Sequence, residues 1–451
     1  MIHWDAALGA ATTLRSRGPA LATAVRAVLR SAPAFQNKAF PLSPLPLMVA
    51  EPDAAALASA AEDYVRLLDK IVRLYLDEPE VRAWYDLGDA AEALILADQR
   101  LGGCVAVCRL DGYLEQRTER PFFLENNADA PAGSMFTGRV NRLVGDLLAM
   151  LDVPVPALSP LTYDDESALL GVVTACAARA GTGPVRHLAI LQPAGTVTRE
   201  SEEMAAAFSR TGVDAYVADP RELRLAGGRV WFGSRPADAC WNKINTASWR
   251  GLAEADGELI ARWVRALAGA PFVHVNPFGA RYVAESKLSL ALPREPRFAA
   301  LFSDAERAIV ERMLPWGLRV SKEARTAGGT GSLYDDLVEH PARYVLKQPY
   351  DIRGDGVTIG RSASRGCWED AIATAVEHGY LAQAHIPPAS YLTIDPRTAA
   401  VVPMPVSLDT YVLNGRAAGF GAKASLHSKV NVFQGGQKLA VHVVKEPCHA
   451  D

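Results

Sequence analysis

The chain is 451 residues long and 49% apolar, enough to bury sizeable cores across two or three domains. A net charge of −4, with Lys and Arg spread along the chain, gives no electrostatic support for a nucleic-acid partner. No apolar run is long enough to span a bilayer, since the best, Ala168 to Ala178, stops at Arg179, so a membrane role is not expected; nor is a signal peptide, since the N-terminus carries Asp5 early and lacks a basic start followed by an apolar core.

The six cysteines are scattered apart from Cys104 and Cys108, which suits neither a zinc site nor a disulfide framework. A reduced, cytoplasmic protein is expected. Residues 1–100 read as helical. Ala54 to Leu76 is rich in Ala and Leu and sets Val65, Leu68, Val72 and Leu76 on one face. Trp84 to Leu101 continues in the same style. Such a region either caps a substrate site or supports the fold, and support is the simpler expectation. Gly103 to Leu110 then predicts a buried strand, and Pro121 to Asn127 a second, ending in the turn-rich Ala128 to Ser134. Pro154 to Pro160 has the composition of a linker.

From about 165 to 280 helices alternate with strands. Glu166 to Ala180 and Ser201 to Thr211 read as helices; His187 to Gln192, Val213 to Ala218, Ala237 to Ile244 and Pro271 to Val275 read as strands. That order predicts parallel α/β units. Ala226-Gly227-Gly228 is a hairpin turn rather than a GxGxxG fingerprint, so a nicotinamide oxidoreductase ranks last. Residues 285–451 read as α+β. Helices are expected at Glu285 to Ala291, Ala305 to Met313 and Trp368 to His378. Strands are expected at Tyr344 to Leu346, Val357 to Ile359, Tyr380 to Gln383 and Thr410 to Leu413. A closing hairpin joins Ala424 to Phe433 with Lys438 to Val444 around Gly435-Gly436.

Two polar clusters leave the early strands. Residues two apart on a strand face the same way, so Arg109 pairs with Asp111 and Glu125 with Asn127. If the strands are neighbours, two carboxylates and an amide converge, a hard-oxygen set suited to magnesium, with Arg109 on a phosphate. The alternative is a surface ion pair beside a turn-capping Asn127-Ala128-Asp129. A lysine strand, Tyr344 to Lys347, precedes a turn carrying Gly354 and Gly356; it is either a phosphate-holding loop or an ordinary hairpin. Asn276-Pro277-Phe278-Gly279 precedes Lys287. At Gln383 to Pro387 a breaking strand frees backbone groups for an adenine edge. Asp238 to Asn245 ends in the polar Lys243 and Asn245, where α/β sheets place ligands.

Together these segments, over about residues 100–445, resemble the circularly permuted ATP-grasp ligases, the group that includes the synthetase domain of glutathionylspermidine synthase. The matching motifs are Arg109-x-Asp111, Glu125-x-Asn127 with Pro131 and Gly133, Asn276-Pro277-Phe278 with Lys287, Lys347 through Val357, and Gln383. Ordinary ATP-grasp enzymes carry the Glu-x-Asn strand after the lysine strands; the permuted group, like this chain, carries it first. The resemblance implies a helical region over 1–100, metal-binding strands over 101–160, a parallel α/β pre-ATP-grasp domain over 161–284 and a nucleotide-binding region over 285–451. It implies ATP and magnesium as cofactors, with Asp111, Glu125 and Asn127 on the metal and Arg109 on the terminal phosphate. Lys287, Lys347, Gly354 and Gly356 hold phosphates, and Gln383 and Ile386 sit by the adenine. Arg109 and Arg353 are the expected catalytic groups, Arg353 stabilising the transferring phosphoryl group or a tetrahedral intermediate.

The implied activity is a carboxylate–amine ligase, joining small metabolites through an acyl phosphate. Amino acids are the expected substrates, and a dipeptide or γ-glutamyl compound the product. A phosphotransferase and a non-catalytic nucleotide-binding protein are the competing readings. Arg139, Lys243, Asn245 and Arg281 are candidates for gripping substrate. The chain departs from the pattern at Gln348, which separates Lys347 from Pro349, and in having one glycine fewer in the loop. No amidase domain with an early cysteine motif is visible, so bond formation without hydrolysis is expected. The sequence sets no oligomeric state.

Overall fold

The structure is a computed structural model. It describes residues 1–30, 41–131, 133–134, 136–163, 165, 167–326, 329, 331–350, 354–395, 398–427, 429–430, 432 and 436–445.

The organising element is an antiparallel sheet in the strand order Gln437–Leu439, Arg416–Ala424, Val401–Leu413, Val107–Leu114, Pro121–Asn127, with Ser390–Ile394 also paired to Val401–Leu413. Its back is covered by the long helix Glu51–Asp77, whose Leu57, Ala61, Tyr64, Leu68, Ile71 and Tyr75 are buried. Pro52 in its first turn and Pro79 just past its end mark where the helix starts and stops. The expected Ala54 to Leu76 helix is therefore present. The expected continuation from Trp84 is not one helix: Asp86 and Gly88 adopt positive φ and split it into Pro79–Tyr85 and Asp89–Ala97.

Several strand boundaries move. The strand expected at Gly103 to Leu110 is Val107–Leu114. Residues Cys104 to Ala106 are buried without joining the ladder. Asn276 pins the strand's start, accepting from Val107 N (2.8 Å) and donating to Val107 O (2.6 Å). Thr410 to Leu413 is the end of a longer strand beginning at Val401. The strand expected from Ala424 instead ends there, as Arg416–Ala424. Gly435 of the expected turn lies outside the described residues. Lys438 to Val444 divides at Ala440: Gln437–Leu439 joins the central sheet, and Val441–Val444 pairs in parallel with Leu47–Ala50. Glu285 to Ala291 is no α-helix. A π-helical turn, Ala280–Ala284, leads into the 3-10 turn Lys287–Leu290, whose start Ser286 caps.

The alternating middle of the chain forms the expected parallel sheet, in the order Val273–Val275, Ala239–Asn242, His187–Leu191, Asp214–Ala218. Gly227 and Gly228 both take positive φ and make the hairpin between Leu223–Ala226 and Arg229–Phe232. A third sheet, antiparallel, has the order Gly317–Arg319, Leu381–Ala384, Tyr344–Lys347, Val357–Ile359. Among the described residues, no helix is long and apolar enough to cross a membrane.

Candidate active site

Register alone assembles the centre of the site. In the central sheet Arg109 lies opposite Asn127 and Tyr411, and Asp111 opposite Glu125 and Asp409. One rank further, Ser407 lies opposite Tyr113 and Lys423, and Lys423 opposite Lys438. Positions two apart share a face, so these ranks stack on one side of the sheet. Asn126 faces the other way. It accepts from Tyr64 OH (3.1 Å) and donates to Ala284 O (3.1 Å), which ties the strand to the helix behind it.

The charges interlock. Arg109 bonds Asp111 through Nε (2.5 Å) and Nη2 (3.1 Å), and Nη2 also donates to Asn127 Oδ1 (3.0 Å). Asn127 Nδ2 donates to Asp111 Oδ1 (3.0 Å). Lys423 Nζ sits 2.8 Å from Asp111 Oδ2 and 3.0 Å from Asp409 Oδ2. Burial opposes ionisation of Asp111, but Arg109 and Lys423 outweigh it and hold its carboxyl well below the usual range. Burial and the neighbouring Asp111 push Asp409 the opposite way. Burial pushes Lys438 down to about 8, with Lys423 and Arg109 adding to the effect.

A bulge between Asp111 and Gly112 leaves Leu124 without a register partner. Its carbonyl accepts from Lys347 Nζ (2.8 Å), which joins the third sheet to the central one. On the third sheet Lys347, Val345, Val357, Ile359 and Gln383 share the face towards this junction. Together with the central ranks they line one cavity of about 400 Å³. Gln383 Nε2 is buried there with no hydrogen-bond partner among the described residues. Such an orphaned donor fits a polar ligand edge.

Of the expected residues, Arg109, Asp111, Glu125, Asn127, Lys243, Asn245, Lys347, Gly354, Gln383 and Ile386 all line this cavity. Lys287 stands behind it, 3.1 Å from Glu125 Oε1, with its own N–H on Pro349 O (3.0 Å). Gly354 takes φ +76° and receives Lys429 Nζ on its carbonyl (2.6 Å), and Gly356 O accepts from Gln348 N (2.9 Å). Arg353 lies outside the described residues.

Two substrate candidates stand away from the cavity lining. Arg139 pairs with Glu203 (3.1 Å). Arg281 is buried, with both terminal nitrogens engaged, on the carbonyls of Asp129, Asn242 and Ile244 and on the Asp129 carboxylate (2.5 Å). Sequence reading passed over Asp409, Lys423, Lys438 and Glu200, which line or back the same cavity. No described residue of the first hundred lines it.

Among the described residues no three His, Cys, Asp or Glu side chains form a ready-made metal cluster. The oxygen set of Asp111, Glu125 and Asn127 has the right chemistry for magnesium, and Arg109, Lys423 and Lys287 now hold those oxygens. A metal with phosphate would take over the oxygens and the cations respectively.

No protein-family model matches the chain, and no curated protein matches it. Solved structures do. A glutathione synthetase-like effector from Globodera pallida, in its apo form, superposes with TM-score 0.59 at 11% identity, over 94% of this chain and 96% of the other. A putative gamma-glutamylcysteine synthetase from Methylobacillus flagellatus gives TM-score 0.41 at 13% identity over 83% and 87%. A RimK domain protein ATP-grasp from Sphaerobacter thermophilus gives 0.27 at 17% over 53% and 91%. The last two scores are too low to carry an argument. The first shows the fold: the chain shares the overall architecture of that glutathione synthetase-like effector.

Proposed function

We propose that the chain is an ATP-dependent carboxylate–amine ligase of the circularly permuted ATP-grasp kind. The observation that carries this reading is convergence. Arg109, Asp111, Glu125 and Asn127 on one sheet meet Lys347 and Gln383 on another across a single cavity. Residues 1–100 serve as support, 101–160 supply the metal strands, 161–284 form the substrate-side α/β domain and 285–451 hold the nucleotide. The likeness to a glutathione synthetase-like fold supports small carboxylate and amine substrates, with a dipeptide or γ-glutamyl product as the family precedent.

In this reading Gln383 and Ile386 orient the adenine, and Lys347 with Lys287 hold phosphate oxygens. Arg109 would leave Asp111 for the terminal phosphate, and Asp111, Glu125 and Asn127 would hold magnesium. The bound ion would neutralise charge as the phosphoryl group moves to the carboxylate. The protein supplies alignment and charge rather than a nucleophile. The test is phosphate release on a panel of paired amino acids with ATP and magnesium. Release that requires both an acid and an amine supports the ligase. Release without an amine, with a stable phosphorylated product, points to a phosphotransferase.

Lys347→Ala is expected to raise the apparent KM for ATP at least about tenfold, the loss of one charge-assisted contact. An unchanged ATP dependence removes Lys347 from the site. Lys438 gives a pH prediction. Phosphate favours its charged form, so the bound pKa exceeds the free value of about 8. ATP binding therefore takes up a proton above about pH 8, and affinity falls as pH rises through that range. Calorimetry in buffers of different ionisation enthalpy checks this; equal heats would remove Lys438 from nucleotide binding.

A further inference from the structure

Part of the cavity's wall is made by residues at the carboxyl ends of the parallel strands. Lys243 follows the strand Ala239–Asn242, and Glu200 opens the helix Arg199–Ser209. Their side chains are 7% and 4% exposed and meet at 2.8 Å. Both line the cavity. A buried ion pair is a poor stabiliser by itself, because desolvating two charges offsets their attraction.

This pair also keeps spare valence. Among the described residues, Lys243 Nζ bonds only Glu200 Oε1, and Glu200 Oε2 has no hydrogen bond. Gln192 and Asn245 line the cavity too; Gln192 spends its Oε1 on Thr198 N (2.8 Å) and Asn245 its Oδ1 on Ser248 N (2.8 Å), and neither amide nitrogen has a hydrogen bond among the described residues.

We propose that the Lys243–Glu200 pair clamps the α-carboxylate and α-ammonium of an amino dicarboxylic acid and leaves its side-chain carboxylate as the group that is activated. The argument is charge balance. A zwitterion replaces one ion pair by two crossed pairs and brings no net charge into a buried site. A lone carboxylate or a lone ammonium satisfies one partner and strands the other. The α-carboxylate held at Lys243 is committed to this wall, so the carboxylate that reaches Arg109 is the second one. Its oxygen attacks the terminal phosphorus of ATP and ADP leaves. The amine lone pair then attacks the acyl carbon, phosphate leaves with the bonding electrons, and the surplus amine proton passes to solvent.

This rests on the ligase reading, and the experiment separates the two. Binding of aspartate, glutamate and α-aminoadipate to the full chain is measured calorimetrically with a non-hydrolysable ATP analogue. Analogues lacking only the amino group, or carrying an α-amide, are compared. At least one amino diacid is expected to bind, with each analogue at least about tenfold weaker. Glu200→Gln is expected to abolish the penalty for losing the amino group, and Lys243→Met the penalty for the α-amide. Analogues that bind as well as their parents, variants that discriminate as the wild type does, or no binding by any of the three overturn the clamp. The wild-type analogue series decides the matter even if a variant fails to fold. Amine-dependent phosphate release with monocarboxylic acids would overturn the clamp while keeping the ligase.

Discussion

Glu125→Ala is expected to lower turnover at least about a hundredfold, as loss of a group that stabilises transferring charge does, while the protein stays folded. Glu125 sits opposite Asp111, and its side chain is 28% exposed towards the cavity. Its ion pair, with the buried Lys287, spans 3.1 Å. Steady-state kinetics with thermal unfolding on the same sample separates the readings. Retained turnover with a lowered unfolding midpoint would make Glu125 a structural partner of Lys287 and remove it from the metal set.

Arg281→Ala is expected to act in the opposite sense. It removes the guanidinium that bridges Asp129 to the carbonyls of Asn242 and Ile244, and so ties the exit of the strand Pro121–Asn127 to the parallel sheet. Asp129 is 4% exposed, and its carboxylate would be left buried without its counter-charge. Breaking a buried pair in this way costs about 3–5 kcal/mol. Denaturant unfolding should show that loss directly. A stable variant with only a raised KM for a substrate would return Arg281 to the role its sequence position suggested.

The contrast shows what sequence carried. Arg109-x-Asp111 and Glu125-x-Asn127 were legible because alternation on a strand is local, and the register only had to bring two neighbours together. Lys347 and Gln383 were legible for the same reason, each on a short apolar strand. Lys423 was missed because its strand, Arg416–Ala424, is built of Gly and Ala and carries little apolar signal. Asp409 was missed because the strand was read from Thr410, one residue too late to reveal an acid inside an apolar run. Lys438 was read as the edge of one strand, and the break at Ala440 that turns its neighbours into a different sheet has no local marker. Arg281 could not be sorted from Arg109 by sequence. Burial against Asp129 is a contact between distant segments, and type and spacing do not encode it.

The pairing of Val107–Leu114 with Val401–Leu413 has a consequence for how the protein is made. The strand that carries Arg109 and Asp111 is synthesised first, and its partner on one side leaves the ribosome only long afterwards. Until then that edge has unpaired N–H and C=O groups and a buried-type apolar face open to other chains. Leu47–Ala50 waits for Val441–Val444 in the same way. Such non-local closure is slow relative to local helix formation. The nascent protein thus passes through a long interval in which its helices can form but its central sheet cannot, and chaperone demand should concentrate there.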